Sequence, residues 1–175
     1  MKKTGILLFA MAVMLASCQM GGKKDEIKIV NDSIAALEKE IFDPAKDQLD
    51  KSKAIVLIKL YQKAAKLDPT GKSAPDYLFK AADISINVQN PNKTIMLYDE
   101  ILDDYPDFEK APTVLFLKAF VYDDQLQDYT NAKKYYEHFL EKYPNNEFTD
   151  DAEISLKNLG KTPEELIEEF QKNNP

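Results

Sequence analysis

From Ile27 onward, apolar residues recur three and four positions apart, strand-type alternation is absent, and the only glycines beyond the first two dozen residues are Gly71 and Gly160. That pattern predicts an all-α chain. Ile27, Val30, Ile34, Leu37 and Ile41 fall on one stripe of a first helix. Asp43-Pro44, Asn90-Pro91 and Thr162-Pro163 each set a capping side chain ahead of a proline whose missing amide costs nothing at the first helical position. Thr162 also has Glu165 three residues on, the pattern of a capping box. Helices are expected near 25–41, 45–67, 75–88, 91–105, 110–126, 129–143, 149–159 and 163–172.

The chain repeats itself. A shift of 38 lays Lys80-Ala81 on Lys118-Ala119, Tyr98 on Tyr136, Leu102 on Leu140 and Tyr105-Pro106 on Tyr143-Pro144, with no gap. The same shift pairs Leu78 with Phe116, Val88 with Leu126, Asn90 with Asp128 and Ile101 with Phe139, so apolar and capping roles recur as well as identities. An earlier partial copy, offset by one residue, carries Tyr61, Ala64 and Leu67-Asp68-Pro69. Two helices per unit at this period mark an α-solenoid, whose end faces need capping. After Pro144, Ala152, Leu156 and Leu159 form one apolar stripe and Leu166, Ile167 and Phe170 a second, with Gly160 placed to take the left-handed turn between them.

The second helix of each unit resembles that of the tetratricopeptide repeat. Ala132, Tyr136, Phe139 and Pro144 match its spacing, as do Thr94, Tyr98, Ile101 and Pro106, and Leu57, Tyr61, Ala64 and Pro69. Small residues let neighbouring helices approach, the aromatic fills the gap between units, and proline stops the helix. The resemblance implies a helical-hairpin solenoid over residues 25–175, with repeats near 74–108 and 111–146, a partial repeat near 45–70, an N-terminal helix, and capping helices over 149–172. It also implies binding of a protein partner on the inward positions of the first helices, which fall near Leu78, Ala82, Ser85, Phe116, Phe120 and Asp123. The Lys, Arg and Asn set with which some tetratricopeptide domains clamp a carboxylate is absent there. Such a surface suits an apolar peptide, a partner helix, or the chain's own N-terminal helix.

Residues 1–17 read as an export leader: Lys2 and Lys3, then an apolar run from Gly5 to Ala16 that is too short to span the bilayer. Leu15-Ala16-Ser17-Cys18 resembles the lipobox of bacterial lipoproteins. That resemblance implies cleavage before Cys18, acylation of its sulfur and amino group, and anchoring by the acyl chains alone. By the same resemblance Gln19 after the cysteine points to the outer membrane, and residues 18–24 read as the lipidated Cys and its tether. Some surface lipoproteins of Bacteroidetes carry an acidic patch directly after the cysteine, whereas here Lys23-Lys24 precede Asp25-Glu26, so both faces stay open and the periplasmic one is the expectation. Repeat units of this length behind a lipobox are similar to BamD-type and CpoB (YbgF)-type envelope lipoproteins and to small repeat lipoproteins of Bacteroidetes. These families imply roles in outer-membrane protein assembly or in coordinating cell division with the cell wall.

Charge and composition narrow the chemistry. The chain holds 23 Lys and no Arg against 30 acids, and loss of the two leader lysines takes the net charge from −7 to −9. An acidic chain without a bidentate guanidinium is poorly equipped for nucleic acid. One His and one Cys supply neither a zinc site nor a Cys–His pair, and His138 is expected on the solvated side of its helix. Adjacent acids at Asp103-Asp104, Asp123-Asp124 and Asp150-Asp151 point about 100° apart on a helix and lack EF-hand spacing. The tyrosines, mostly at repeated positions, read as core and not as a stacking platform. The expected molecule is therefore a non-catalytic interaction scaffold without cofactor or metal. The alternative is a structural lipoprotein that self-associates through residues 27–41.

Overall fold

The computed structural model describes the backbone of residues 4–45 and 49–173, and the side chains of 22–45 and 49–172. Its eight α-helices are α1 (Thr4–Ile41), α2 (Lys51–Leu67), α3 (Ala74–Asn87), α4 (Pro91–Asp104), α5 (Ala111–Phe120), α6 (Tyr129–Lys142), α7 (Thr149–Asn158) and α8 (Pro163–Asn173), with a π-helical turn at Val121–Gln125 after α5. No strand occurs among the described residues. The chain divides into two compact units, Met1–Tyr77 and Leu78–Pro175.

In the first unit α1 lies along α2. The predicted stripe is the face that packs: Val30, Ile34 and Ile41 are buried and Ile27 and Leu37 half-buried, while α2 contributes Ala54, Leu57, Ile58, Tyr61, Ala64 and Ala65 to the core. Polar ties flank this seam. The Tyr61 hydroxyl donates to the Glu38 carboxylate, Lys53 pairs with Glu40, and Lys63 Nζ lies 2.7 Å from Glu26 Oε1. The Tyr77 hydroxyl donates to Asn31 Oδ1 at 3.1 Å, and its ring stacks on Tyr61 at 5.9 Å. Within the chain the stripe of 27–41 is thus occupied by α2, while Ile29 on the same helix stays 65% exposed.

Two boundaries differ from expectation. Helix α1 starts at Thr4 and not near residue 25, because no proline interrupts the leader and Gly21-Gly22 weaken a helix without stopping it. The Cys18 side chain lies outside the described residues, so the lipidation assignment keeps its basis in sequence. Helix α2 starts at Lys51 and not at residue 45. Asp50 caps it, its Oδ1 accepting from the amides of Ser52 and Lys53 at 3.0 and 3.1 Å, whereas Asp43 accepts from the Ala45 amide in a separate turn. Residues 46–48, part of the expected second helix, are outside the described set.

In the second unit the 38-residue period is visible in the backbone itself. Gln89 and Gln127, one period apart, both take left-handed φ values, 61° and 51°. Asn90 and Asp128 cap α4 and α6 with their side chains, accepting from the third amide onward at 3.3 and 3.1 Å. Tyr105 and Tyr143 end those helices with identical angles (φ −132°, ψ 57°), and Lys110 and Phe148 precede the next helices at −92°, 9° and −91°, 8°. Successive helices α4 to α7 pack as neighbours. Their core joins Leu115, Phe116, Ala119, Ala132, Tyr136, Phe139 and Ala152, with Leu156 and Leu159 packed against it.

Closure at the C-terminal end is uneven. Gly160 takes the expected left-handed turn (φ 73°), and Thr162 and Glu165 form the capping box in both directions, at 2.8 and 3.2 Å. Helix α7 seats its stripe, but α8 leaves Ile167 57% and Phe170 69% exposed and is held by ion pairs from Lys161 and Lys157 to Glu169. The capping duty expected of both helices is thus carried by α7. Short, charge-rich α8 contributes little apolar area to the core.

Candidate functional site

Of the six inward positions, four are core. Leu78, Ala82 and Ser85 on α3 are fully buried, and the Ser85 hydroxyl donates to the Asn90 carbonyl at 3.1 Å. Phe116 is buried with its ring stacked on Phe148 at 4.9 Å and tilted against Phe139 and Tyr136 at 5.7 and 5.9 Å. These four cannot meet a partner without parting the hairpins, which corrects the expected binding set. The physical reason is that small and apolar residues at these positions serve the core, as Phe116 does by meeting rings of α6 and the ring of Phe148 ahead of α7.

Phe120 and Asp123 remain accessible. Phe120, at the end of α5, is 41% exposed. One turn on, half-buried Asp123 accepts from the Tyr136 hydroxyl at a long 3.5 Å. Burial pushes the Asp123 carboxyl up, the Tyr136 hydroxyl opposes that, and neighbouring Asp124 adds to it. Tyr136 itself is pushed up to about 12, by burial first. Between these residues the α-helix gives way to the π turn, where the Leu126 amide donates to the Val121 carbonyl at 3.1 Å and the Asp128 amide to the Tyr122 carbonyl at 2.8 Å. A continuous helix to residue 126 was expected. The wider turn lets Tyr122 stack on Tyr135 of α6 at 5.4 Å, within 7° of parallel.

A buried lysine supports this end of α5. The Lys118 side chain is 6% exposed, pairs with the Asp99 carboxylate of α4, and places its ammonium 3.8 Å from the centroid of the Tyr135 ring. Burial pulls its pKa down, but Asp99 and the Tyr135 hydroxyl outweigh that, so the charge is held above the ordinary lysine range. One side chain thus ties α4, α5 and α6 on the side of α5 opposite Phe120. Nothing in the sequence separates Lys118 from a solvated lysine except its place in the repeated Lys-Ala pair.

Asp83 on α3 is a second unforeseen group. Burial pushes its carboxyl up to about 6, against the pull of Lys110. Because the folded value exceeds the unfolded one, folding favours the protonated acid. The resulting penalty is absent below about pH 4 and complete above the folded value. Asp83→Asn is therefore expected to stabilise the protein at pH 7 by roughly 1 kcal/mol, partial exposure screening the rest, and to make no difference near about pH 4. Paired melting curves at the two pH values check this.

His138 is exposed, and among the described residues no group of three or more His, Cys, Asp or Glu side chains could hold a metal. A surface concavity of about 300 Å³ at α8 is lined by Lys161, Glu165, Glu168, Glu169 and Lys172, charged throughout and unlike the apolar lining of a small-molecule site. No described helix is long and apolar enough to cross a membrane.

Residues 113–146, which span most of α5, the π turn and α6, match the tetratricopeptide repeat family model. No curated protein and no solved structure matches the chain. With eight helices and no strand among the described residues, and with this match, the fold is all-α and of the tetratricopeptide helical-hairpin type. Repeats of that type mediate protein–protein interaction and are typically non-catalytic.

Proposed function

We propose that the protein is a non-catalytic scaffold, anchored through acylated Cys18 in the outer membrane and facing the periplasm, that binds a protein partner in envelope biogenesis. The observation that carries the binding role is Phe120: a large aromatic, 41% exposed, inside the matched repeat, on a helix whose other side is tied to α4 and α6 through Lys118. Rigidly mounted aromatics are the commonest anchors of protein interfaces, since they bury much area for little lost freedom. The anchoring role is supported by Leu15-Ala16-Ser17-Cys18 and by Gln19. The setting, assembly of outer-membrane proteins or coordination of division with the cell wall, rests on the likeness to BamD-type and CpoB-type lipoproteins.

Phe120→Asp tests the binding role. The variant is expected to melt within about 0.5 kcal/mol of wild type, as surface changes do, yet to lose the proteins that co-purify with the tagged wild-type chain from detergent-solubilised envelopes. An unchanged co-purifying set would place the interface elsewhere.

A further inference from the structure

Within the second unit, two aromatic rings meet around a lysine ammonium, with a carboxylate one helical turn from one of the rings. Phe79 of α3 and Phe108 of the α4–α5 loop pack edge to face, with centroids 6.4 Å apart and planes at 63°. The Lys110 ammonium lies 5.0 Å from the Phe79 centroid and 5.8 Å from that of Phe108, within cation–π range of both. Asp83, one turn from Phe79 on the same helix, is half-buried and feels the Lys110 charge. The Tyr98 hydroxyl is fully buried without a hydrogen-bond partner, within electrostatic reach of Asp83. Around the loop, Asp103, Asp104, Asp107 and Glu109 are all exposed.

This cluster departs from the repeat that otherwise governs the unit. One period on, Phe79, Asp83, Phe108 and Lys110 become Leu117, Val121, Asn146 and Phe148, and Val121 is fully buried core. Leu117 and Phe148 pack against the core and Val121 lies in it, so hairpin packing accounts for an apolar Phe79 but not for the charges of Asp83 and Lys110. A desolvated acid stands where its copy has a valine, beside an aromatic pair whose copy is a leucine and an asparagine. Rings facing a cation, with a carboxylate short of close partners beside them, form a receptor for an organic cation. Lys110 reaches it from an exposed position at the end of the loop.

We propose that Phe79, Phe108 and Asp83 receive a lysine or arginine side chain of the protein partner, and that Lys110 is the resident cation which the partner displaces. Charge complementarity favours a basic segment as the occupant, since the loop rim is acidic and the chain carries a net charge of −7. The inference rests on the protein-binding role and adds a chemistry to it. Its failure would leave the Phe120 test untouched.

The test is a titration of the full chain with the capped peptide acetyl-Gly-Lys-Gly-amide, read from the ring proton signals of Phe79 and Phe108. Lys110→Ala, which removes the competitor, is expected to bind about ten-fold more tightly than wild type. Adding Asp83→Asn or Phe79→Leu to it is expected to reverse the gain, and the peptide with acetylated lysine is expected to leave the rings unperturbed. As a second measurement, the Asp83 carboxyl is expected to titrate higher in Lys110→Ala and to fall again when the peptide saturates it. Lys110→Ala binding no better than wild type, or equal binding of the acetylated peptide, or an Asp83 titration indifferent to both changes, would overturn the proposal.

Discussion

Phe139→Ala is expected to lower the unfolding free energy by about 3 to 5 kcal/mol. Phe139 is fully buried, and its ring meets Phe116 at 5.7 Å and Tyr143 at 5.8 Å, so truncation removes contacts to α5 and to the end of α6 together. The neighbouring small position responds in the opposite sense to size. Ala132, also fully buried in the cluster that holds Phe116 and Tyr136, has no room for a larger side chain, and Ala132→Leu is expected to cost about 1 to 3 kcal/mol by overpacking. Lys133→Ala beside it, on the exposed face, is expected to be nearly neutral. Urea unfolding of the three variants at unchanged m-value checks the set. Equal losses for Ala132→Leu and Lys133→Ala would contradict the register in which α6 packs.

The second large effect concerns the anchor. Cys18→Ser is expected to abolish incorporation of labelled palmitate and to deplete the protein from the outer-membrane fraction, leaving it soluble or uncleaved. Acyl chains contribute ~0.8 kcal/mol per buried methylene. No described helix is long and apolar enough to span the bilayer in their place. Retention of the serine variant with outer membranes after a salt wash would assign the anchor to another feature.

How far the sequence reached can be judged residue by residue. The repeat was legible because packing and capping recur at one period: Tyr98 and Tyr136 are both fully buried, and Asn90 and Asp128 both cap their helices. The stripe from Ile27 to Ile41 was legible as a packed face, but its occupant was not, because α2 offers no pattern that distinguishes it from a second copy. Asp50 outcompeted Asp43 as a cap through two good amide contacts, a choice that both aspartates present alike on paper. The binding set was misread where spacing alone was used: Leu78, Ala82, Ser85 and Phe116 have the spacing of a presented face, yet all four are buried. Lys118 and Asp83 were invisible for a related reason, since a charged residue is read as solvated until three-dimensional neighbours bury it. The signal that would have found Asp83 was present in the repeat, as an acid aligned with Val121.

In-cell photocrosslinking addresses the central claim, that the repeat end near Phe120 is where a protein partner docks. A benzophenone amino acid is placed at position 120 in one strain and at exposed position 133 in another, and the adducts are resolved by mass after illumination. Docking at the end of α5 predicts one discrete protein adduct from 120, resolved as the chain plus a single partner, and none of that mass from 133. Equal adducts from both positions, or none from 120, would contradict it.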